Sequence, residues 1–333
     1  MTQPILQVRD LTTRFRTDRG VVTAVDQVSF DVAPGETLAI VGESGSGKSV
    51  TALSILGLIP APGGSIDSGE IVFEGQDLLR LGPRGMRAIR GNRIAMIFQE
   101  PMSSMNPALT IGKQIAEPIH LHRGLPWKTA LGMAGELLGK VQIPEPQSRL
   151  SAYPHQFSGG MRQRAMIAMA LACEPRLIIA DEPTTALDVT VQAQILDLLK
   201  DLAERMGTAL ILITHDLGVV ARYADRVAVM YGGRLVETAS AEALYRQPAH
   251  PYTRGLMASV PRIDGDTREP LVPIEGQPPD LTALGPGCAF LPRCKQAIDQ
   301  CRNARPPLLG VPDAATRQLS DQHFKACFLH ELH

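Results

Sequence analysis

One eight-residue segment has glycines, a lysine and a serine at the spacing that binds phosphate. Residues 42–49 read GESGSGKS and fit the pattern G-x-x-x-x-G-K-[ST] at every fixed position. The apolar run 37–41 precedes the segment, which predicts a strand that leads into a loop, and a helix is expected to begin near Lys48. Backbone N–H groups of such a loop and of a helix N-terminus point toward anions. The segment therefore predicts a site for a nucleoside triphosphate.

Each side chain of this phosphate loop has an expected role. Lys48 is expected to hold the β- and γ-phosphates, and Ser49 is expected to hold a Mg²⁺ ion. The other loop residues expected to contact the nucleotide are Gly42, Ser44, Gly45, Ser46 and Gly47.

Two carboxylates follow a second apolar run. Residues 177–180 read LIIA, and Asp181 and Glu182 come directly after them. An open α/β sheet binds its ligands at the carboxyl ends of its strands. We therefore expect Asp181 to reach Mg²⁺ directly or through water, and Glu182 to polarise the water that attacks the γ-phosphorus.

A third segment predicts a second anion-binding helix start. Ser158 is a good N-cap residue, and Gly159 and Gly160 follow it ahead of an expected helix over residues 161–172. A chain with one phosphate loop needs a second such feature only if phosphate is bound from two sides.

The elements around these motifs predict an α/β fold with a mostly parallel core sheet. Residues 177–180 and 210–213 are short buried strands separated by a helical stripe, which is typical of parallel strands with helices on both faces. Alternating stretches over residues 6–32 predict an antiparallel β subdomain, and helical spacing over about residues 108–165 predicts an inserted helical subdomain. Prolines become frequent beyond residue 248, so we expect a nucleotide-binding domain at 1–248 and a C-terminal extension at 249–333.

Composition limits the partners and the location. The 333 residues include 33 Lys and Arg against 34 Asp and Glu, a net charge of -1, so no global basic field supports binding to nucleic acid. The sequence shows no signal-peptide pattern at its start and no apolar run long enough to cross a bilayer. We therefore expect a cytoplasmic protein.

As a set, these motifs resemble the ATP-binding subunits of ABC transporters. The family signature Leu-Ser-Gly-Gly-Gln is matched at 157–161, with Phe157 for the leucine and Met161 for the glutamine. The resemblance implies that ATP is the nucleotide and that Ser158 and Gly160 contact the γ-phosphate held by a partner cassette. Two cassettes would then enclose two ATP molecules head to tail.

Three further positions match the family. Gln99 corresponds to the glutamine that senses Mg²⁺ and the attacking water, Asp188 to the loop that crosses to the partner, and His215 to the switch histidine. Phe15 is the expected aromatic to stack on adenine, although the alternating pattern around it also suits a core phenylalanine. The resemblance implies a hydrolytically competent site.

The C-terminal part looks like that of the dipeptide and oligopeptide import subfamily. Residues 250–256 read HPYTRGL, and residues 287–294 read GCAFLPRC. This resemblance implies an ATPase motor for an importer with two transmembrane permease subunits, a second, nonidentical ABC ATPase subunit and an extracytoplasmic solute-binding protein. The chain would lie peripherally on the cytoplasmic face of the inner or plasma membrane.

Four of the five cysteines lie in this extension with the spacing C-x₅-C-x₆-C-x₂₅-C, at Cys288, Cys294, Cys301 and Cys327. Four thiolates suit zinc or an iron–sulfur cluster. Zinc sites usually use cysteine pairs two to four residues apart, which do not occur here, so the spacing favours a [4Fe–4S] cluster. The resemblance also favours it, because such a cluster has been seen at matching cysteines in peptide-importer cassettes. Zinc and four buried, unligated thiols stay as alternatives.

Two other functions compete with the importer motor. A soluble ABC ATPase acting on nucleic acid or the ribosome would use the cysteines in a zinc-stabilised module, but such relatives usually have two cassettes or long coiled insertions. A metal-binding regulator without enzymatic activity is disfavoured because Glu182 and His215 are both present.

Overall fold

A computed structural model describes residues 3–185, 187–259, 273–312 and 319–329. The chain divides into two compact units. The first unit comprises Met1–Leu6, Val32–Thr37 and Val72–Ile213, and the second comprises Gln7–Asp31, Leu38–Ile71 and Thr214–His333.

The described residues contain the following strands, numbered along the chain: β1 (Leu6–Thr17), β2 (Gly20–Val32), β3 (Thr37–Val41), β4 (Gly64–Phe73), β5 (Gln76–Asp77), β6 (Ile94–Ile97), β7 (Leu177–Asp181), β8 (Ala209–Thr214), β9 (Arg226–Tyr231), β10 (Arg234–Ser240), β11 (Leu309–Pro312) and β12 (Leu319–Lys325). The α-helices in the same part of the chain are α1 (Lys48–Ile55), α2 (Pro83–Ile89), α3 (Pro101–Ser104), α4 (Ile111–Arg123), α5 (Trp127–Lys140), α6 (Pro146–Arg149), α7 (Gly159–Leu171), α8 (Val189–Met206), α9 (Leu217–Tyr223), α10 (Ala241–Arg246), α11 (Pro251–Ala258) and α12 (Gln300–Asn303).

The first unit has parallel strands in the order β8-β7-β6. Leu177 pairs with Ile94 on one side and with Ala209 on the other, and every residue of β7 and β8 is buried. Strands that are covered on both faces read as continuous apolar runs, which is why residues 177–180 and 210–213 could be recognised in the sequence.

The inserted helical subdomain of the first unit is formed by α4 to α7. Ile111, Ile115 and Ile119 recur along one face of α4 and are fully buried. A Cβ on Gly112 would lie 2.7 Å from the backbone oxygen of Leu150, so this close approach requires glycine. The helical insertion and the α/β class predicted from the sequence are therefore confirmed.

The second unit combines parallel and antiparallel strands in the order β11-β12-β10-β9-β3. β3 and β9 are parallel, whereas β9 and β10 form an antiparallel hairpin. β12 pairs with β10 and β11 pairs with β12, both antiparallel. The C-terminal extension thus adds two strands beside β10, which the proline-rich sequence did not indicate.

A buried carboxylate fastens the extension to β10. Glu237 is fully buried and accepts hydrogen bonds from the backbone N–H groups of Ala249, at 2.7 Å, and His250, at 2.8 Å. Nε2 of His323 on β12 lies 2.7 Å from the same carboxylate. Burial lowers the pKa of His250 to about 4, so its imidazole is neutral at pH 7.

Among the described residues, no helix is both long and apolar enough to span a membrane.

Candidate functional site

The phosphate loop in the second unit has a backbone that favours glycine at particular positions. Gly42 and Gly47 have φ values of +154° and +105°. A Cβ would lie 2.2 Å from the Met230 backbone oxygen at Gly42 and 2.4 Å from the Ala24 oxygen at Gly47. The loop therefore passes close to the neighbouring backbone at Gly42 and Gly47, and glycine is favoured at these two positions by contact as well as by torsion angle.

Lys48 is buried in this loop and is held by the loop itself. Its Nζ donates hydrogen bonds to the carbonyl oxygens of Gly42, at 2.8 Å, and Glu43, at 3.0 Å. Ser46 is also buried, and its Oγ has no hydrogen-bond partner among the described residues. Helix α1 begins at Lys48 without a side-chain cap. An ammonium, an unsatisfied hydroxyl and the start of a helix together offer donors suited to phosphate oxygens.

The first unit brings two predicted catalytic side chains together. Nε2 of Gln99, just after β6, donates a hydrogen bond to Oε2 of Glu182 at 3.1 Å. Thr185 Oγ1 donates to the same oxygen at 2.9 Å. Asp181 is buried at the end of β7. Glu182, which follows it, has a φ of +45°, and its N–H donates a hydrogen bond to the backbone oxygen of Ile213 at 2.9 Å. This strained turn presents the carboxylate at the carboxyl end of the strand.

The first unit also contains the capped start of α7. Ser158 Oγ accepts a hydrogen bond from Met161 N–H at 3.3 Å, as the sequence predicted. Asp188 caps α8 in the same way, accepting from Val191 N–H at 2.9 Å. A Cβ on Gly160 would lie 3.2 Å from the Val191 side chain, so the two helix starts are neighbours. Gly159 and Gln99 line one cavity of about 200 Å³.

The remaining predicted residues lie in the second unit. His215 is exposed and follows the last residue of β8. Phe15 is half-buried on β1, near Gly64, rather than enclosed in a core. The predicted nucleotide contacts are thus divided between the units: the phosphate loop, Phe15 and His215 in one, and Gln99, the Ser158–Gly160 segment, the carboxylates and Asp188 in the other.

Two residues of the extension contact the phosphate loop, and sequence reasoning did not identify either. Arg293 forms an ion pair with Glu43 at 2.6 Å, and the Glu43 N–H donates to the Tyr252 hydroxyl at 2.9 Å. Both lie inside segments that the sequence singled out, but contacts across more than 200 positions leave no local pattern.

The four cysteines of the extension line one small cavity of about 10 Å³. The Cys288 N–H donates to the Cys301 backbone oxygen at 2.8 Å, which joins two of the segments. Burial raises the pKa of Cys288 to about 11 and also raises the pKa values of Cys294 and Cys327. Such buried thiols ionise only beside positive charge, for example that of a metal.

A buried ammonium accompanies these thiols. Lys325 is buried, and its Nζ has no hydrogen-bond partner among the described residues. Burial lowers its pKa, and the nearby Cys327 acts in the opposite direction. An unpaired ammonium in this position suits an anionic group at the cysteines. Within the described ranges, however, no group of three or more His, Cys, Asp or Glu side chains is arranged to hold a metal ion, so the expected metal site is not supported.

Two family models match the chain. One, described as "ABC transporter", matches residues 25–185, and the other, described as "Oligopeptide/dipeptide transporter, C-terminal region", matches residues 236–301. The first covers the phosphate loop, Gln99, Ser158 and both carboxylates. The second begins within β10 and covers three of the four clustered cysteines.

Relatives and solved structures agree with these models. A putative peptide import ATP-binding protein of Brucella melitensis biotype 1 is 52% identical over 319 residues, covering 93% of this chain and 94% of the relative. The dipeptide transport ATP-binding protein DppD of Bacillus subtilis (strain 168) is 50% identical over 329 residues, 99% of this chain and 96% of its own. The ATP-binding cassette MJ0796, solved as a post-hydrolysis dimer bound to ADP and Pi, matches with a TM-score of 0.64 and 28% identity over 71% of this chain and 98% of that chain.

These matches give no support to an ATPase that acts on nucleic acid or the ribosome. They do agree with the ATP-binding cassette and the transporter-type C-terminal region expected from the sequence. The chain belongs to the ABC transporter family, as an ATP-hydrolysing subunit whose C-terminal region is of the oligopeptide/dipeptide transporter type.

Proposed function

We propose that this chain is the motor of an importer for di- or oligopeptides. ATP binding closes a dimer of cassettes, and hydrolysis resets it, which drives the membrane subunits between their two states. The observation that carries the proposal is the hydrogen bond between Gln99 and Glu182, because it joins the expected nucleotide sensor to the expected catalytic carboxylate. The names of the relatives, which are peptide-import and dipeptide-transport proteins, support the substrate class.

ATP would be bound mainly by the phosphate loop. Lys48 would transfer its hydrogen bonds from the loop carbonyls to the β- and γ-phosphate oxygens, and the Ser46 hydroxyl would gain its missing partner there. The other proposed contacts are Gly42, Ser44, Gly45, Gly47 and, by stacking on adenine, Phe15. Mg²⁺ would neutralise phosphate charge while held by Ser49, Asp181 and Gln99.

Hydrolysis would use Glu182 as the base. Its carboxylate would accept a proton from water as the water oxygen bonds to the γ-phosphorus, and the bond from that phosphorus to the β,γ-bridging oxygen would break to give ADP and phosphate. Gln99 and Thr185 would hold the accepting oxygen in place, since both donate to it. His215 would stabilise the charge that develops on the γ-phosphate.

A second cassette would complete each site. Ser158, Gly159 and Gly160 would present the start of α7 to the γ-phosphate of the partner's nucleotide, and Asp188 would reach across the same interface. We propose a heterodimer with a second ABC ATPase subunit. The solved dimer of a related cassette supports an assembly of two cassettes.

The other partners and the location follow from this role. Two permease subunits would receive the motion of the cassettes, and an extracytoplasmic binding protein would deliver the peptide. The chain would lie at the cytoplasmic face of the inner or plasma membrane, held by the permeases. Residues 1–248 would form the nucleotide-binding domain and residues 249–333 the extension.

We further propose that Cys288, Cys294, Cys301 and Cys327 bind a [4Fe–4S] cluster that stabilises the extension, with zinc as the alternative. Four thiols on one cavity and the unpaired Lys325 ammonium suit the negative charge of either centre. The cavity of about 10 Å³ has room for one atom-sized group, so a four-iron cluster would require the thiols to move apart.

Anaerobic purification tests the metal. A cluster predicts brown protein with about four irons and four acid-labile sulfides per chain, as its composition requires. Cys294→Ser should bleach the protein and lower its melting temperature, whereas Cys173→Ser, which alters the buried cysteine outside the cavity, should keep the colour. Colourless protein with one zinc would assign the site to the alternative, and metal-free protein would refute both.

The peptide-import function is tested with the assembled transporter in proteoliposomes. Peptide-loaded binding protein should stimulate ATP hydrolysis well above the rate with the unloaded binding protein. If loaded and unloaded binding proteins give the same rate, or if the chain does not copurify with permease subunits, the proposal is wrong.

A further inference from the structure

Arg293, which lies in the C-terminal extension, binds the side chain of a residue of the phosphate loop. Its Nη1 lies 2.6 Å from one carboxylate oxygen of Glu43, and its Nη2 lies 2.9 Å from the other. The Arg293 side chain is only 4% exposed. This bidentate geometry fixes both the position and the orientation of the carboxylate, and it is among the stronger pairings available to a protein.

The guanidinium is itself held by the extension and by β9. Its Nε donates to the backbone oxygen of Glu275 at 3.0 Å, and its Nη2 also donates to that of Ile274 at 3.2 Å. Its Nη1 also donates to the Tyr231 hydroxyl at 3.3 Å. Arg293 therefore connects the loop to Ile274 and Glu275 of the extension and to Tyr231 on β9.

The backbone of Glu43 is held as well. Its N–H donates to the hydroxyl of Tyr252 at 2.9 Å. Tyr252 is fully buried and packs against Tyr231, with ring centroids 4.5 Å apart. The carbonyl oxygen of Glu43 accepts from Lys48, so one residue joins the extension to the phosphate-binding ammonium.

The phosphate-loop pattern does not require this arrangement. Glu43 occupies a position that the pattern leaves open, and its carboxylate points to the extension instead of a phosphate. The loop also lines a cavity of about 280 Å³ whose lining includes residues 278–281 of the extension. The extension therefore contacts both the carboxylate of Glu43, through Arg293, and its backbone N–H, through Tyr252. It also lines a cavity together with the loop.

We propose that Arg293 and Tyr252 are positioning residues for the phosphate loop, through which the C-terminal extension sets the affinity for ATP. The inference rests on the proposed role of residues 42–49. Removing the guanidinium leaves the partly buried Glu43 carboxylate uncompensated, and the loop relaxes away from the shape that places Lys48. The effect belongs to nucleotide binding, because neither residue is expected to contact the attacking water.

Calorimetric titration of the full-length chain with Mg-ATP tests the proposal. Arg293→Gln should raise Kd about tenfold, equivalent to 1.4 kcal/mol. The matched control is Arg305→Gln, which breaks another ion pair of the extension, to Asp26 at 2.6 Å, without touching the loop. Its Kd should stay within about twofold of wild type. In the assembled transporter, Arg293→Gln should raise the KM for ATP and leave kcat nearly unchanged.

Two more variants keep the test decisive if Arg293→Gln folds poorly. Tyr252→Phe keeps the buried ring but removes the acceptor for the Glu43 N–H, and it should raise Kd about three- to tenfold. Glu43→Gln combined with Arg293→Gln should weaken binding no more than Arg293→Gln alone, because both changes break one contact. Additive losses, or equal effects of Arg293→Gln and Arg305→Gln, would overturn the proposal.

Lys48→Ala separates this inference from the function on which it rests. Loss of ATP binding in Lys48→Ala with normal binding in Arg293→Gln and Tyr252→Phe would refute the positioning role alone. Normal ATP binding in Lys48→Ala would instead refute the assignment of the phosphate loop.

Discussion

Replacing Glu182 with glutamine should leave ATP binding intact and nearly abolish hydrolysis. The Glu182 Oε2 accepts hydrogen bonds from Gln99 and Thr185, and an amide oxygen can accept the same two bonds. The side chain should therefore keep its position. The variant loses only the negative charge that accepts the proton of the attacking water.

The size of the effect follows from that single loss. A positioned general base contributes about 10²- to 10⁴-fold to a rate, or about 2.7 to 5.5 kcal/mol of barrier. Thr185→Val removes one hydrogen bond to the carboxylate but keeps the base, and it should cost only about tenfold. Stability should change by no more than about 0.5 kcal/mol, because Glu182 is partly exposed and its contacts are retained.

The assay is phosphate release by the assembled transporter, together with nucleotide binding to the full-length chain. Glu182→Gln should bind Mg-ATP as wild type does and accumulate an ATP-bound closed dimer, visible by size-exclusion chromatography. A rate within about threefold of wild type would refute the assignment of Glu182 as the base, because loss of a general base should slow the reaction by about 10²- to 10⁴-fold.

Two other predictions concern the partner site and the extension. Ser158→Arg should abolish ATPase activity of the assembled pair while the chain itself still binds ATP, because the new side chain fills the space expected for the partner's γ-phosphate. Equal loss of ATPase activity and ATP binding would refute the role of Ser158 across the interface. Ser158→Ala controls for the lost helix cap, which is worth about 1 kcal/mol. His250 has a pKa of about 4 when folded, below its ordinary value of 6.5, so the unfolded chain binds more protons and stability should fall as pH drops from about 6.5 toward 4. In thermal melts over that pH window, the wild type should lose up to about 1.4 kcal/mol of stability per pH unit more than His250→Asn does. Equal losses in the two proteins would contradict the lowered pKa of His250.

The features of this protein that could be predicted from the sequence are those determined by residues close together in the chain. Residues 42–49 are constrained at every fixed position, and the buried strand at 177–181 reads as an apolar run that ends in a carboxylate. Ser158 could be recognised as a cap because capping acts over three residues. That Gln99 and Glu182 belong to one site was implied only by the family resemblance, because the sequence has no pattern that spans their separation.

The extension was less predictable because its order comes from distant partners. Prolines and weak periodicity concealed β11 and β12, whose pairing beside β10 depends on a neighbour far along the chain. No local sequence pattern marks Glu237 as buried, although it accepts backbone hydrogen bonds at the start of the extension. Tertiary context determined these elements, and local propensity did not.

The most direct test of the central claim is peptide uptake into proteoliposomes that contain the complete transporter, with the binding protein outside and Mg-ATP enclosed with the cassettes. Wild type should accumulate labelled di- or oligopeptide only when ATP is present, and Glu182→Gln in this chain should reduce accumulation in proportion to its loss of ATP hydrolysis. Accumulation without ATP, or undiminished accumulation by the variant while its ATPase activity is lost, would contradict the account of this chain as the motor.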